Sequence, residues 1–98
     1  MNPMLILAIQ ERCLLEMDYD PGIRILEPFA YGLSSEGHEL LRSFQREGAS
    51  ASGEHINWKL MRVDRIRSVR LLNEIFSGSR PDYRRNDKAM RGGIYCQI

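Results

Sequence analysis

Cysteine is scarce in this 98-residue chain, and its two copies carry no metal-binding pattern. Cys13 and Cys96 stand far apart with no partner at zinc spacing, which argues against a zinc ribbon or a densely stapled disulfide scaffold. Two such thiols without a secretion signal are expected to stay reduced, and a cytoplasmic location follows as the expectation. Long apolar runs are missing as well. The longest, Met4 to Ile9, falls far short of the ~20 residues that a membrane span needs. No basic stretch precedes it and no small-residue cleavage site follows it, so neither a signal peptide nor a membrane partner is expected. Catalytic signatures are equally thin. There is no Gly-x-Ser-x-Gly elbow, and neither cysteine lies in a nucleophile motif. The run Gly48 to Gly53 has the glycines and serines of a phosphate-binding loop but not their order or the helix that follows one, and reads as a mobile connection. The expectation is a protein that is not an enzyme and holds no metal or cofactor.

What is present is ordinary globular material. Hydrophobic residues make up 43% and charged residues 28%, a balance that excludes disorder as the dominant state. At this length folding buries somewhat over ~60% of the unfolded surface, enough for one modest core. The net charge of +1 hides an asymmetry: residues 1–58 hold four arginines against nine carboxylates, and residues 59–98 hold ten cations against four. Such a split hints at an anionic partner such as nucleic acid, unless the halves interleave and cancel.

Asn2 followed by Pro3 is a helix start, a side-chain cap followed by an imino acid in the first turn. Leu5, Ile6, Ile9 and Cys13 fall on one face, so the spacing predicts a helix from about Pro3 to Cys13. The period then changes from 3.6 to 2, with Leu15, Met17 and Tyr19 alternating with acids. Asp20-Pro21-Gly22 predicts a turn. A second strand from Ile23 to Tyr31 contains Pro28, which cannot donate to a ladder and so implies an edge position or a bulge. A loop over 32–37, a third strand from Glu39 to Gln45 and a fourth from Ile56 to Val63 follow. The fourth has Ile56, Trp58 and Leu60 on its apolar face. A fifth strand spans Ile66 to Leu72, and Asn73 to Phe76 reads as one helical turn. Ser77 to Pro81 is a linker, and Pro81 to Ile98 a basic tail expected to dock by Ile94, Tyr95 and Cys96.

Several pieces of this pattern occur together in one known family. In order, Leu7-Ala8-Ile9-Gln10-Glu11-Arg12, Met17-Asp18-Tyr19, Arg24-Ile25-Leu26-Glu27-Pro28, Gly37-His38-Glu39-Leu40-Leu41 and Trp58-Lys59-Leu60-Met61-Arg62-Val63-Asp64-Arg65-Ile66-Arg67-Ser68-Val69 resemble the WYL domains of bacterial transcription regulators. Glu39-Leu40-Leu41 stands where the family carries its eponymous Trp-Tyr-Leu, so two aromatics are missing. The resemblance implies an α+β, mainly β fold: an N-terminal helix and a small five-stranded SH3/Sm-like barrel over residues 1–76, with residues 77–98 as a C-terminal tail. It also implies a binding module for nucleic acid or a nucleotide in a transcription-regulatory or defence context.

The candidate ligand-binding residues are Arg24, His38, Arg42, Lys59, Arg62 and Arg65. Arginine and lysine in a groove hold phosphates by charge, and arginine adds a two-pronged fork. By resemblance, Arg24, Lys59 and Arg62 match basic positions of the family pattern. The competing reading is a set of solvated strand faces, with Arg65 paired to Asp64 or Glu74. Trp58 has the ring to stack on a base, although its alternation with Ile56 and Leu60 assigns it to the core, and Tyr31 and Phe44 likewise. Arg84, Arg85, Lys88 and Arg91, with Tyr83 between them, form a second basic cluster. It either fastens nucleic acid or docks on the acidic half of the chain. A protein partner or a second copy of the chain is the alternative to a nucleic-acid ligand.

Overall fold

The computed structural model describes residues 1–98. Helix α1 spans Pro3–Glu11 and begins where the Asn2 side chain accepts hydrogen bonds from the amides of Met4 and Leu5. It stops two residues earlier than its apolar spacing suggests. Arg12 takes a left-handed conformation (φ 56°), its amide closes onto Ala8 and Ile9, and Cys13 is freed to begin a strand. Leu5, Ala8 and Ile9 form the buried face of the helix.

Six antiparallel strands follow: β1 Cys13–Tyr19, β2 Gly22–Leu33, β3 Glu39–Gly48, β4 Asn57–Arg62, β5 Ser68–Ile75 and β6 Gly93–Gln97. Their order is β4-β3-β2-β1-β5, with β6 also paired to β2. A short 3-10 turn, Val63–Arg65, joins β4 to β5. The sheet is open, since β4 and β5 end the order and are not bonded to each other. Strand β2 is the spine. Its first half pairs β1 (Tyr19 opposite Gly22, Leu15 opposite Leu26), and its second half pairs β6 (Ala30 opposite Gln97, Leu33 opposite Gly93). Pro28 lies between these halves, beside a bulge in the β2–β3 ladder between Pro28 and Ala30, where a residue without an N–H is tolerated.

Several boundaries differ from the sequence reading. Strand β3 runs on to Gly48, β4 is shorter at both ends, β5 starts at Ser68, and four further changes alter the pattern. There are six strands, not five, because Gly93–Gln97 pairs with β2 instead of only resting on the sheet. Asn73 to Phe76 is not a helical turn. Pairing of Ile75 with Cys13 draws these residues into β5, and the Phe76 amide donates to the Arg12 carbonyl. Gly32 and Leu33 belong to β2, where β3 and β6 hold them. The β1–β2 connection is Asp20-Pro21 with a cis bond between them, and Gly22 already begins β2.

Side chains pack on both faces of the sheet. On one face, α1 closes over Leu15, Met17, Leu26, Tyr31, Leu41 and Met61. Leu14 is adjacent to Leu15 in β1, so its side chain points to the other face. There it meets Phe29 and Phe76, with Phe44, Trp58 and Tyr83 around them. Residues 77–92 cross this second face on the way to β6, and the segment is pinned at both ends. Arg80 forks onto the nearly buried Glu27 carboxylate at 3.0 and 2.9 Å, and Arg46 approaches the same carboxylate at 3.4 Å. The Ile98 amide donates to the Phe29 carbonyl at 2.9 Å.

Two stability predictions follow from this packing. Arg80→Ala leaves Glu27 with Arg46 alone and is expected to cost about 1–3 kcal/mol. Loss of exchange protection at the Ile98 amide ahead of the β1–β2 ladder would identify the crossing segment as what loosens. Ser43 lies wholly buried in β3 and its hydroxyl is the one buried side-chain polar atom without a partner. Ser43→Ala is expected to raise stability by about 1 kcal/mol, read as a higher urea midpoint at unchanged slope.

Candidate ligand-binding cleft

Residues opposite one another in an antiparallel pair share a face. Phe44 is opposite Trp58, Arg42 opposite Leu60 and Leu40 opposite Arg62, so Arg42 and Trp58 lie together on the outer face of β3–β4. The crossing segment passes over that face. Arg42 holds it with a fork onto Asp87, Nε to Oδ2 at 2.7 Å and an Nη to Oδ1 at 3.3 Å. Burial alone would raise the Asp87 pKa. Hydrogen bonds from Arg42 and the Ala89 amide, with the Arg42 charge, outweigh it and bring Asp87 below its ordinary value.

Tyr83 lies near-parallel to Trp58, with ring centroids 5.9 Å apart and planes 24° apart. Trp58 is fixed edge-on to Phe29 at 4.9 Å and to Phe44 at 5.4 Å, so this aromatic surface is anchored in the second core. The Tyr83 hydroxyl donates to the Ile98 carbonyl at 2.9 Å, and Arg85 Nε donates to the same oxygen at 3.1 Å. Between the segment and the sheet opens a cleft of about 560 Å³. Four cations line it, Arg42, Arg84, Arg85 and Lys88, against two carboxylates, Asp82 and Asp87, with Trp58 and Tyr83 as its rings. Arg84 and Lys88 are exposed and make no hydrogen bond or ion pair within the chain.

The residues singled out from sequence are not gathered in one place. Arg24 is 4% exposed and turned inward, which is a correction to its place in an open anion pocket. Its guanidinium donates to the Tyr19 carbonyl at 3.1 Å, to the Asp20 carbonyl and to Gln45 Oε1 at 3.2 Å. Desolvation lowers its pKa, opposed by Tyr19 and Asp20. Arg24 therefore ties the β1–β2 turn to the sheet. Lys59 is opposite Ser43 on the inner face, and its ammonium donates to the hydroxyls of Ser50 (3.0 Å) and Ser52 (3.2 Å). With Gln45 Nε2 donating to the carbonyls of Ala49 and His55, it holds the 48–53 connection down.

Arg62 is on the outer face, forked onto Asp64 and in contact with His38 Nδ1 at 3.1 Å. Arg65 is exposed in the 3-10 turn. It pairs with neither Asp64 nor Glu74, which go to Arg62 and Arg46. Of the six, only Arg42 lines the cleft. Trp58 packs against the second core as its assignment expected, but not by alternation with Ile56 and Leu60. Ile56 and Leu60 are exposed, the buried residue of β4 is Met61, and Trp58 is half-buried at the cleft wall. Tyr31 is fully buried and Phe44 partly so. The basic cluster around Tyr83 was the visible part of this site. Arg42 and Trp58 were candidates as well, but nothing local places them beside that cluster, Arg42 being 45 residues from Asp87.

No protein-family model matches the chain, and no curated protein or solved structure matches it either.

Folding lowers the Asp87 pKa below its ordinary value, desolvation being outweighed by the Arg42 and Ala89 hydrogen bonds. The Arg42–Asp87 fork thus stabilises the segment at pH values above the unfolded pKa and is lost as acid protonates the carboxylate. Trp58 is the only tryptophan, so its emission should shift as the pH falls below the ordinary aspartate range, and Asp87→Asn should show that shift already at neutral pH. Identical emission of the variant and the parent at neutral pH would count against the fork as the element that holds the cleft wall.

Proposed function

We propose that this chain is a non-enzymatic, WYL-like regulatory module that binds a nucleotide or a nucleic acid in the cleft between β3–β4 and the C-terminal segment. The observation that carries this reading is the convergence of Arg42, Arg84, Arg85 and Lys88 with Trp58 and Tyr83 around one opening. Cations answer the phosphates of such a ligand, and aromatic faces stack its bases, worth about 1–3 kcal/mol per base. The volume of about 560 Å³ is that of a small-ligand pocket, within the usual range of ~300–1,000 Å³. The strand order supports the SH3/Sm-like reading of the fold. β1 to β4 form a meander, β5 returns to β1 after a 3-10 turn, and β2 is shared by both halves. In this reading the basic groove of the module is the outer face of β3–β4, with Arg62 and His38 at its far end, and Arg24 and Lys59 serve the architecture.

A second reading is supported by the two free sheet edges, where Leu60 on β4 and Ile75 on β5 are exposed. Unpaired edges of this kind serve association with a protein partner or a second copy.

Titration of nucleoside monophosphates and of mixed-sequence single-stranded oligonucleotides against Trp58 emission tests the first reading. Saturable quenching is expected at low salt, weakening as salt rises. For these single-stranded oligonucleotides, Arg84→Ala/Lys88→Ala should reduce the log–log salt slope by about 1.4, roughly 0.7 for each lost phosphate contact. Unchanged emission with every probe at low salt would remove the cleft as a nucleotide site and leave the strand edges as the reading to pursue.

A further inference from the structure

The cleft contains one uncommitted acceptor among its cations. Of its polar groups without positive charge, Asp87 is taken by Arg42 and the Ala89 amide. Asn86 is taken by Gln97, its amide donating to Gln97 Oε1 at 2.9 Å and its side-chain oxygen accepting from Gln97 Nε2 at 3.1 Å. Asp82 is exposed, precedes Tyr83 directly, and enters no hydrogen bond or ion pair in the chain. A lone carboxylate in a basic cleft repels a phosphate, so it belongs to the other end of a ligand that carries both phosphate and ring. What it favours there is an edge made of donors.

A carboxylate has two acceptor oxygens side by side and no donor, and it is satisfied best by two adjacent N–H groups. Among the common bases only guanine offers that pair, through N1–H and the 2-amino group. Adenine and cytosine each offer one amino group beside an unprotonated ring nitrogen that faces the carboxylate unfavourably. Uracil offers one N–H between two carbonyl oxygens. We propose that Asp82 makes the cleft selective for guanine, its carboxylate accepting from N1–H and the 2-amino group of a base stacked on the Tyr83–Trp58 surface while Arg84 and Lys88 take the phosphate. This inference rests on the reading of the cleft as a base- and phosphate-binding site.

Binding of the 5′-monophosphates of guanosine, inosine, adenosine, cytidine and uridine to the intact chain, read by Trp58 emission and by calorimetry, tests it. A bidentate contact to a base discriminates by about 1–3 kcal/mol, so guanosine monophosphate should bind roughly 10- to 100-fold more tightly than the adenosine, cytidine or uridine forms. Inosine monophosphate, which lacks the 2-amino group, should fall between. Asp82→Ala should abolish the preference, with guanosine monophosphate binding within about twofold of the other bases, and should leave the fold unchanged, since Asp82 makes no hydrogen bond or ion pair in it. Equal affinity for all five ligands in the parent chain overturns the role of Asp82 while the cleft reading stands, as does a guanine preference that survives Asp82→Ala. Absence of binding by any of the five overturns the selectivity together with the cleft as a mononucleotide site.

Discussion

Strand β2 is longer than any neighbour that shares its first edge, and most of the structure follows from that. Its twelve residues outrun β1, which pairs only as far as Leu26. Beyond Pro28 the edge facing β1 would present bare N–H and C=O groups to a partly apolar surface, which is costly when they are buried. Strand β6 fills that edge from Ala30 to Leu33. Because β6 comes from the far end of the chain, residues 77–92 must travel from the end of β5 across a face of the sheet to reach it. That path places Phe76 and Tyr83 against Phe29 and lays Arg84 to Lys88 over Trp58. The cleft is thus a by-product of completing one strand edge.

Charge is distributed to the same end. Ion pairs tie the acidic first half and the basic second half of the chain together in both directions, Arg42 and Arg46 of the first half meeting Asp87 and Glu74 of the second. Arg67 meets Asp18, Arg70 meets Glu16 and Arg80 meets Glu27. The first two are exposed cross-strand pairs, each worth about 0–1 kcal/mol, and they contribute more to the register of β1 and β5 than to stability. Arg80–Glu27 differs, since the Glu27 side chain is 5% exposed and its charge needs a partner to remain buried. Among the second-half cations, Arg65, Arg84, Lys88 and Arg91 make no side-chain hydrogen bond or ion pair, and Arg84 and Lys88 of these stand at the cleft. The halves thus interleave in space, but their ion pairs leave most of the charge difference in place, part of it at the groove.

The basic residues that stood out in the sequence illustrate why a side chain's type does not fix its role. Arg24 and Arg42 are both arginines on neighbouring strands, yet one caps an internal turn and the other faces solvent at a groove. The difference is strand parity, shifted in the β2–β3 ladder by bulges between Ile25 and Leu26 and between Pro28 and Ala30. Each bulge exchanges inward and outward positions for the residues beyond it. Alternation read from the sequence carries no record of such a step. Around β4 the apolar residues Ile56, Trp58 and Leu60 suggested one core face, whereas Ile56 and Leu60 are exposed, Trp58 packs half-buried on the second core and Met61 is buried on the other face.

By itself the sequence determined the local elements: the Asn2-capped helix, the alternating strands β1 and β3, the break at Asp20-Pro21 and the irregularity at Pro28. These depend on contacts between residues a few positions apart, whose preferences are written in their own side chains. It also exposed the basic run around Tyr83, though not what that run touches. Only the tertiary structure decided that Gly93–Gln97 is a strand, that Asn73 to Ile75 extends β5, and that Arg42 and Trp58 meet Arg84 and Lys88 at one cleft. Each of those outcomes is a pairing between segments distant in the chain. Its free energy comes from hydrogen bonds and burial that exist only once the sheet has assembled, so no local pattern could encode it.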